Sequence, residues 1–326
     1  MSFARGARAV ALSIAALAVA APAAAQWKPA KPVDIIVHTG PGGGSDLLTR
    51  AVATMIEKEK LSPVRMQVIN KPGGNGAVAA AALAEKKGDP NTIGLITSVW
   101  IAGPLTSSEA KITVHDLKPI AQLMLEPAVF VVRADSPYRT LKDFIEAAKA
   151  KPGALRQSGG SVTSRDNIVR LSLEHATGAK WAFVSFPGGG ERLAAVLGGH
   201  VDIMVIEPQE AGELVRAGKL RVLAQLTQKR LPGWADVPTL KEAGYDLQTT
   251  PQIRAVVAPP GQPDDASKYW EGRFEALHKS ESWKKYVHDN QLEDSFADGA
   301  ALTKTMAQIE KQLKEAYTQA GIKTVR

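Results

Sequence analysis

The 326-residue chain contains no cysteine, which closes disulfides, thiolate metal sites, thiol nucleophiles and lipid attachment through an N-terminal cysteine. Beyond residue 25 it also lacks any run of the ~20 apolar residues that a membrane-spanning helix needs. Its formal charge of +7 comes from 40 Lys plus Arg against 33 Asp plus Glu, and bases alternate with acids, as in Lys58, Glu59 and Lys60. A nucleic-acid binder gathers bases and aromatics on one face, so no nucleic-acid partner is expected. A mild positive field still favours encounter with small anions. Catalytic signatures are missing too: there is no GxSxG elbow, no HExxH helix and no Walker GxxxxGK loop. The six histidines are scattered, without metal-ligand spacing. No metal and no cofactor are expected.

What is present begins with a leader. Arg5 and Arg8 precede the apolar stretch Ala9 to Ala21, Pro22 follows, and Ala23, Ala24 and Ala25 supply small residues before Gln26. Residues 1–25 therefore read as a secretory signal cleaved after Ala25. An exported, cysteine-free chain with 44% hydrophobic residues suggests a bacterial periplasm and a core large enough to stand without disulfides.

In the rest of the chain, β-rich runs alternate with helical periodicity, which predicts βαβ units. Four strand–turn–helix passages have Gly-rich turns, after Val37, Ile69, Ser158 and Phe186. Such a turn admits a ligand to the backbone, and the helix start behind it favours an anion. Ser45 or Asp46 is expected to cap the first helix, and Gly43 to owe its place to close backbone approach or a positive φ. His38, at the end of the first strand, either lines a pocket or serves the turn, and Trp100 either encloses a ligand or fills the core. Ser158, Ser161, Thr163 and Ser164 bring hydroxyls to one loop. Arg254 and Glu207 are charges in unexpected places, facing a ligand or forming a mutual ion pair. No linker separates the two halves, so the chain is expected to cross between two lobes more than once, near Glu126 and Gln225, a single large doubly wound sheet being the alternative. That assigns 27–126 and 226–326 to lobe 1 and 127–225 to lobe 2.

Several segments are similar to one family. Gly40 to Asp46 resembles a PPGGG(S/T)D loop, Asn70 to Gly76 an NRPGAGG segment, and Gly159 to Ser164 a GSAGxGTSS loop. Leu197 to Asp202, Arg216 to Leu223 and Asp236 to Gly244 resemble LLGGxVD, RAGKLRxL and DVPTLxEAG. Together these resemble the substrate-binding proteins of tripartite tricarboxylate transporters, the Bug or TctC family. The resemblance implies an α/β, two-lobed periplasmic binding protein of the Venus-flytrap, type II-like kind, each lobe a mainly parallel sheet flanked by helices. It implies a monomer that captures a small organic carboxylate, mono-, di- or aromatic, and hands it to membrane permease subunits. Matched positions nominate Gly42, Gly43, Ser45, Gly160, Ser161 and Thr163 as ligand contacts. His38, Thr39 and Glu207 depart from the family pattern and bear on the ligand's far end; Trp100 and Ser158 complete the expected site. No enzymatic activity is expected. Two other readings stay open: an exported enzyme acting on a small organic acid, for which His38 with Glu207 is the candidate pair, and a sensor subunit docking on a receptor kinase.

Overall fold

The computed structural model describes residues 27–160, 162–186, 189–247, 252–319 and 321–326. The expected leader, residues 1–25, lies outside the described residues, as does Ser161. The first sheet has the order β11-β4-β10-β3-β1-β2. Its strands are β1 (Val33–Val37), β2 (Met66–Asn70), β3 (Thr92–Thr97), β4 (Lys118–Glu126), β10 (Gln252–Ala258) and β11 (Glu293–Asp298). The second has the order β7-β6-β8-β5-β9, built from β5 (Val129–Arg133), β6 (Arg156–Gly159), β7 (Ala182–Ser185), β8 (Ile203–Ile206) and β9 (Leu220–Gln225).

Helices cover both faces because the strands are apolar on both. Along β1, Val33, Ile35 and Val37 face one cluster with Leu48, Val52 and Ile56 of α1 (Gly44–Lys58), Trp270 and Phe274 of α8 (Asp264–Lys279) and Trp283 of α9 (Glu281–Asp289). Ile36 points the other way, into a cluster with Leu83 of α2 (Ala77–Ala84), Trp100 and Ile101 of α3 (Val99–Thr106) and the stripe Leu302, Met306, Ile309, Leu313 and Tyr317 of α10 (Gly299–Gln319). That stripe recurs at helical spacing and is entirely buried. The second sheet is covered likewise by α4 (Leu141–Ala150), α5 (Arg165–Thr177), α6 (Gly189–Leu197) and α7 (Pro208–Arg216). α4 starts with the expected capping box, in which Asp143 N–H donates to Thr140 Oγ1 at 3.1 Å and Thr140 N–H to Asp143 Oδ2 at 2.8 Å.

Each sheet keeps the expected parallel βαβ block, β1 with β2 and β3, and β6 with β7 and β8. As a whole, however, both sheets are mixed rather than mainly parallel, and the reason is geometric. The strands that bring the chain in from the other sheet, β5 and β10, enter at the C-terminal edge of their neighbours: Val129 pairs with Ile206, and Gln252 with Glu126. Starting there, they can only run antiparallel.

Two elements escape the sequence pattern. α3 contains Gly103 and Pro104, yet Gly103 is needed, because a Cβ there would lie 2.6 Å from the Asn75 carbonyl oxygen. β11 reads EDSFAD and succeeds as an edge strand on β4 with an irregular register. After β9 the chain stays for a while against the second sheet. Gln225 accepts from Leu231 N–H at 2.8 Å and donates to the Trp234 and Val237 carbonyls at 2.9 and 2.7 Å. This ties the following excursion to the second sheet, where Leu226, Leu240, Tyr245 and Leu247 join the core. The chain first passes from one sheet to the other at Pro127 and Ala128, between β4 and β5.

Trp270 is fully buried among Trp27, Tyr269 and Phe274, and its indole N–H donates to the Pro90 carbonyl at 3.3 Å. Trp270→Ala is expected to cost about 3–5 kcal/mol, measured as a lower urea midpoint by circular dichroism.

Candidate functional site

The Gly-rich loops after β1 and β6 are closed by the same device. An aspartate in the first turn of the following helix reaches back to a loop amide. Gly42, at φ 79°, donates to Asp46 Oδ2 at 2.9 Å, and Gly160 donates to Asp166 Oδ2 at 3.0 Å. Each aspartate also takes an arginine, Arg50 at 2.9 Å and Arg192 at 2.9 Å. Asn70 at the end of β2 completes the first loop, donating to Asp46 Oδ1 at 2.9 Å and to the Thr39 carbonyl at 2.8 Å. The hydrogen bond from Arg50, against the cost of burial, holds the Asp46 carboxyl down at about 2.

This corrects the expected capping. The residue before α1 is Gly43, with no side-chain cap, and Asp46 acts from inside the helix. The amides of Gly42 and Gly160 are therefore engaged with protein carboxylates. Those of Gly44 and Ser45 take no acceptor among the described residues, so the start of α1 remains open to an anion.

Between the sheets lies a chain of ion pairs. Arg254 of β10 reaches Glu126 at the end of β4 by 2.5 Å and donates to Ser45 Oγ at 2.8 Å. Gln209 donates to the other oxygen of Glu126 at 2.8 Å, and Arg165, first residue of α5, donates to its main-chain carbonyl at 2.9 Å. Arg165 continues to Glu207 at 2.8 Å, and Arg192 lies 3.9 Å from Glu207 and 4.0 Å from Glu210. Arg254 and Glu207 are thus both ion-paired but not to each other, because Glu126 and Arg165 stand closer to each. Against the cost of burial, Arg165 and Arg192 keep the Glu207 carboxyl below its ordinary range. The chain links the first turn of α1 in one sheet to the first turns of α5 and α7 in the other, and three arginines and several helix starts at one place suit a small anion.

The remaining expected site residues divide. Thr39 holds the first loop by accepting from Asp46 N–H at 3.2 Å. Thr163 meets the first sheet's Asn75 at 3.4 Å, and its carbonyl accepts from the Tyr317 hydroxyl at 3.2 Å. The loop carrying it lines a narrow crevice between the sheets, about 20 Å³ in volume, with Ser98, Val99 and Ala102. Trp100, in contrast, is only 2% exposed and belongs to the core, its indole N–H donating to His38 Nδ1 at 3.1 Å. Ser158 is completely buried in β6. Both are drawn inside by the sheet neighbours that surround them, so neither stands open to a ligand.

Burial, aided by Arg254, pushes the His38 imidazole down to about 4. It is neutral at neutral pH, with Nδ1 accepting from Trp100. Among the described residues, no hydrogen bond or ion pair joins His38 to Glu207, and no group of three or more His, Cys, Asp or Glu is placed to hold a metal ion. Sequence reasoning missed Asp46, Asp166, Glu126, Arg165, Arg192 and Glu210 as members of this centre. Only Glu126, a charge closing the apolar strand Ile120 to Leu125, carried a visible signal.

Two outcomes follow from this geometry. A Cβ on Gly43 would lie 2.8 Å from Thr39 Cβ, although its φ of −74° suits any residue; the positive φ belongs to Gly42. Gly43→Ala is therefore expected to destabilise by about 1–3 kcal/mol, whereas Gly40→Ala, with open space around it, is close to neutral in the same thermal melts. A depressed histidine contributes stability that is present above its unfolded value near 6.5 and is lost as pH falls toward 4. An NMR titration is expected to show one imidazole with a midpoint near 4, and the Trp100 indole proton shifting with it.

The profile of the tripartite tricarboxylate transporter family receptor, TctC, matches residues 48–321. A Cupriavidus necator relative, the UPF0065 protein in gbd 5'region, is 30% identical over 318 residues, covering 96% of this chain and 95% of its own. A TctC solute binding protein from Polaromonas, solved without ligand, superimposes with a TM-score of 0.71 at 29% identity, over 89% of this chain and 99% of its own. An R. palustris protein solved with adipate has the same fold, with a TM-score of 0.84 at 22% identity, over 90% of this chain and 99% of its own. The two mixed sheets are thus the lobes of a periplasmic binding protein fold, and the chain belongs to the tripartite tricarboxylate transporter receptor family.

Proposed function

We propose that the protein is an exported, monomeric solute receptor that holds a small organic carboxylate between its two lobes and delivers it to the permease of a tripartite tricarboxylate transporter. The observation that carries this reading is the convergence of α1 and α5, from different sheets, on one arginine-bearing centre. The open amides of Gly44 and Ser45, with Arg254 beside Gly44, offer charge-assisted donors on one lobe. Gly160 and Thr163 offer the facing loop, and His38, Thr39, Gly42, Gly43 and Glu207 frame the rest. The adipate held by the R. palustris neighbour is the kind of molecule that such a cleft suits. A receptor role without turnover agrees with a histidine held neutral by burial and a Glu207 occupied by Arg165.

Each charge-assisted hydrogen bond contributes roughly 1.5 to 3 kcal/mol. Several of them, less the ordering cost, reach a dissociation constant of about 1 μM, or roughly −8 kcal/mol. A thermal-shift screen of aliphatic and aromatic carboxylates, in a carboxylate-free buffer, tests the reading. Stabilisation by one or more of them is expected; stabilisation only by sugars, amines or phosphates would overturn it.

A further inference from the structure

Glu210 stands in the first turn of α7, and its carboxylate is wedged between helix starts of the two sheets. One oxygen lies 3.0 Å from where a Cβ on Gly189 would sit, at the start of α6, and the other 3.9 Å from the same point on Gly44, at the start of α1. Its side chain makes no hydrogen bond among the described residues. The cation nearest to it, Arg192 at 4.0 Å, is committed to Asp166 at 2.9 Å. A carboxylate without a hydrogen-bonded counter-ion, standing beside two helix starts, sets a negative charge where an anion would approach them.

We propose that the ionised Glu210 carboxylate opposes an incoming carboxylate at this centre, so that an anion enters the cleft once Glu210 takes up a proton. The inference rests on the carboxylate-receptor reading above and adds a proton to its binding step.

The charges facing Glu210 argue for it. They are Glu207 on its own helix, Arg192 on α6, Glu126 at the end of β4 and Arg254 on β10, with Arg165 and Asp166 of α5 one contact further out. Arg165, Arg192 and Arg254 stand against Glu126, Asp166, Glu207 and Glu210, so the centre carries one negative charge too many when all are ionised. A single proton balances it, and burial together with Glu207 pushes the Glu210 carboxyl up to about 7. Independently, Arg254 Nε, Arg165 Nε, Gln209 Oε1 and Glu207 Oε2 are buried without hydrogen-bond partners. Two unused donors and two unused acceptors leave the polar groups of the centre incompletely matched.

The sign follows from linkage. If only the protonated form admits an anion, affinity is full below pH ~7 and falls about tenfold per pH unit above it. Isothermal titration of the full receptor with acetate, malate, adipate and benzoate, from pH 6 to 8.5, reads this out. Wild type is expected to lose affinity above pH 7 and to take up a proton on binding, seen as a heat that changes with the buffer's ionisation enthalpy. Glu210→Gln is expected to bind with little pH dependence and at least tenfold more tightly at pH 8. Glu213→Gln, exposed on the same helix, is expected to match wild type. Wild-type binding that is independent of pH and takes up no proton would overturn the role of Glu210 while leaving the receptor reading intact. So would affinity that rises with pH, or binding abolished in Glu210→Gln and Glu210→Ala alike. Absence of binding by all four acids in wild type and Glu210→Gln would overturn the proposal together with the carboxylate reading.

Discussion

The ion pair between Arg254 and Glu126 is the constraint around which the cleft is arranged. Glu126 ends the strand that leaves the first sheet, and Arg254 sits in the strand that returns to it; both are almost entirely shielded from water. A buried pair of this kind gains little net stability over an apolar replacement, but removing one partner strands the other charge at high cost. What the pair supplies is position. Because Arg254 also holds Ser45 while the Glu126 carbonyl holds Arg165, the starts of α1 and α5 are located relative to the crossing itself. The geometry of the proposed anion site is thereby tied to the place where the chain passes between lobes.

The Gly-rich loops were legible because their signal is local: a strand, a few glycines and a helix within a dozen residues specify the turn without reference to anything distant. Arg254 and Glu207 were recognisable as misplaced charges, yet their partners were not. Arg254 finds Glu126 across 128 residues of sequence and Arg165 finds Glu207 across 42, and no periodicity encodes such a meeting. The burial of Trp100 and Ser158 was hidden for a related reason. A residue at a strand end reads the same in sequence whether it points into the cleft or back under it, and burial decides.

The mixed sheets teach a similar lesson about topology. Alternating β and α segments do imply parallel strands, and the blocks β1–β3 and β6–β8 obey. Strand direction at a crossing depends instead on which edge the chain departs from. Because it leaves β4 at the cleft, β5 must start at the cleft, and the antiparallel pairing follows from that alone. β11 departs for a different reason: an acid-rich segment makes an acceptable strand where only one side of it has to pair.

The two lobes are held by contacts of two kinds near α10. Ile168 of α5 lies in the same apolar cluster as Leu313 and Tyr317. Close by, the direct bridge from Asn75 to Thr163 is an exposed 3.4 Å hydrogen bond, which water replaces at little cost. Parting the sheets there is cheap where polar groups trade partners with solvent and dear where it uncovers hydrocarbon, so the contact that resists separation is the greasy one between α5 and the C-terminal helix.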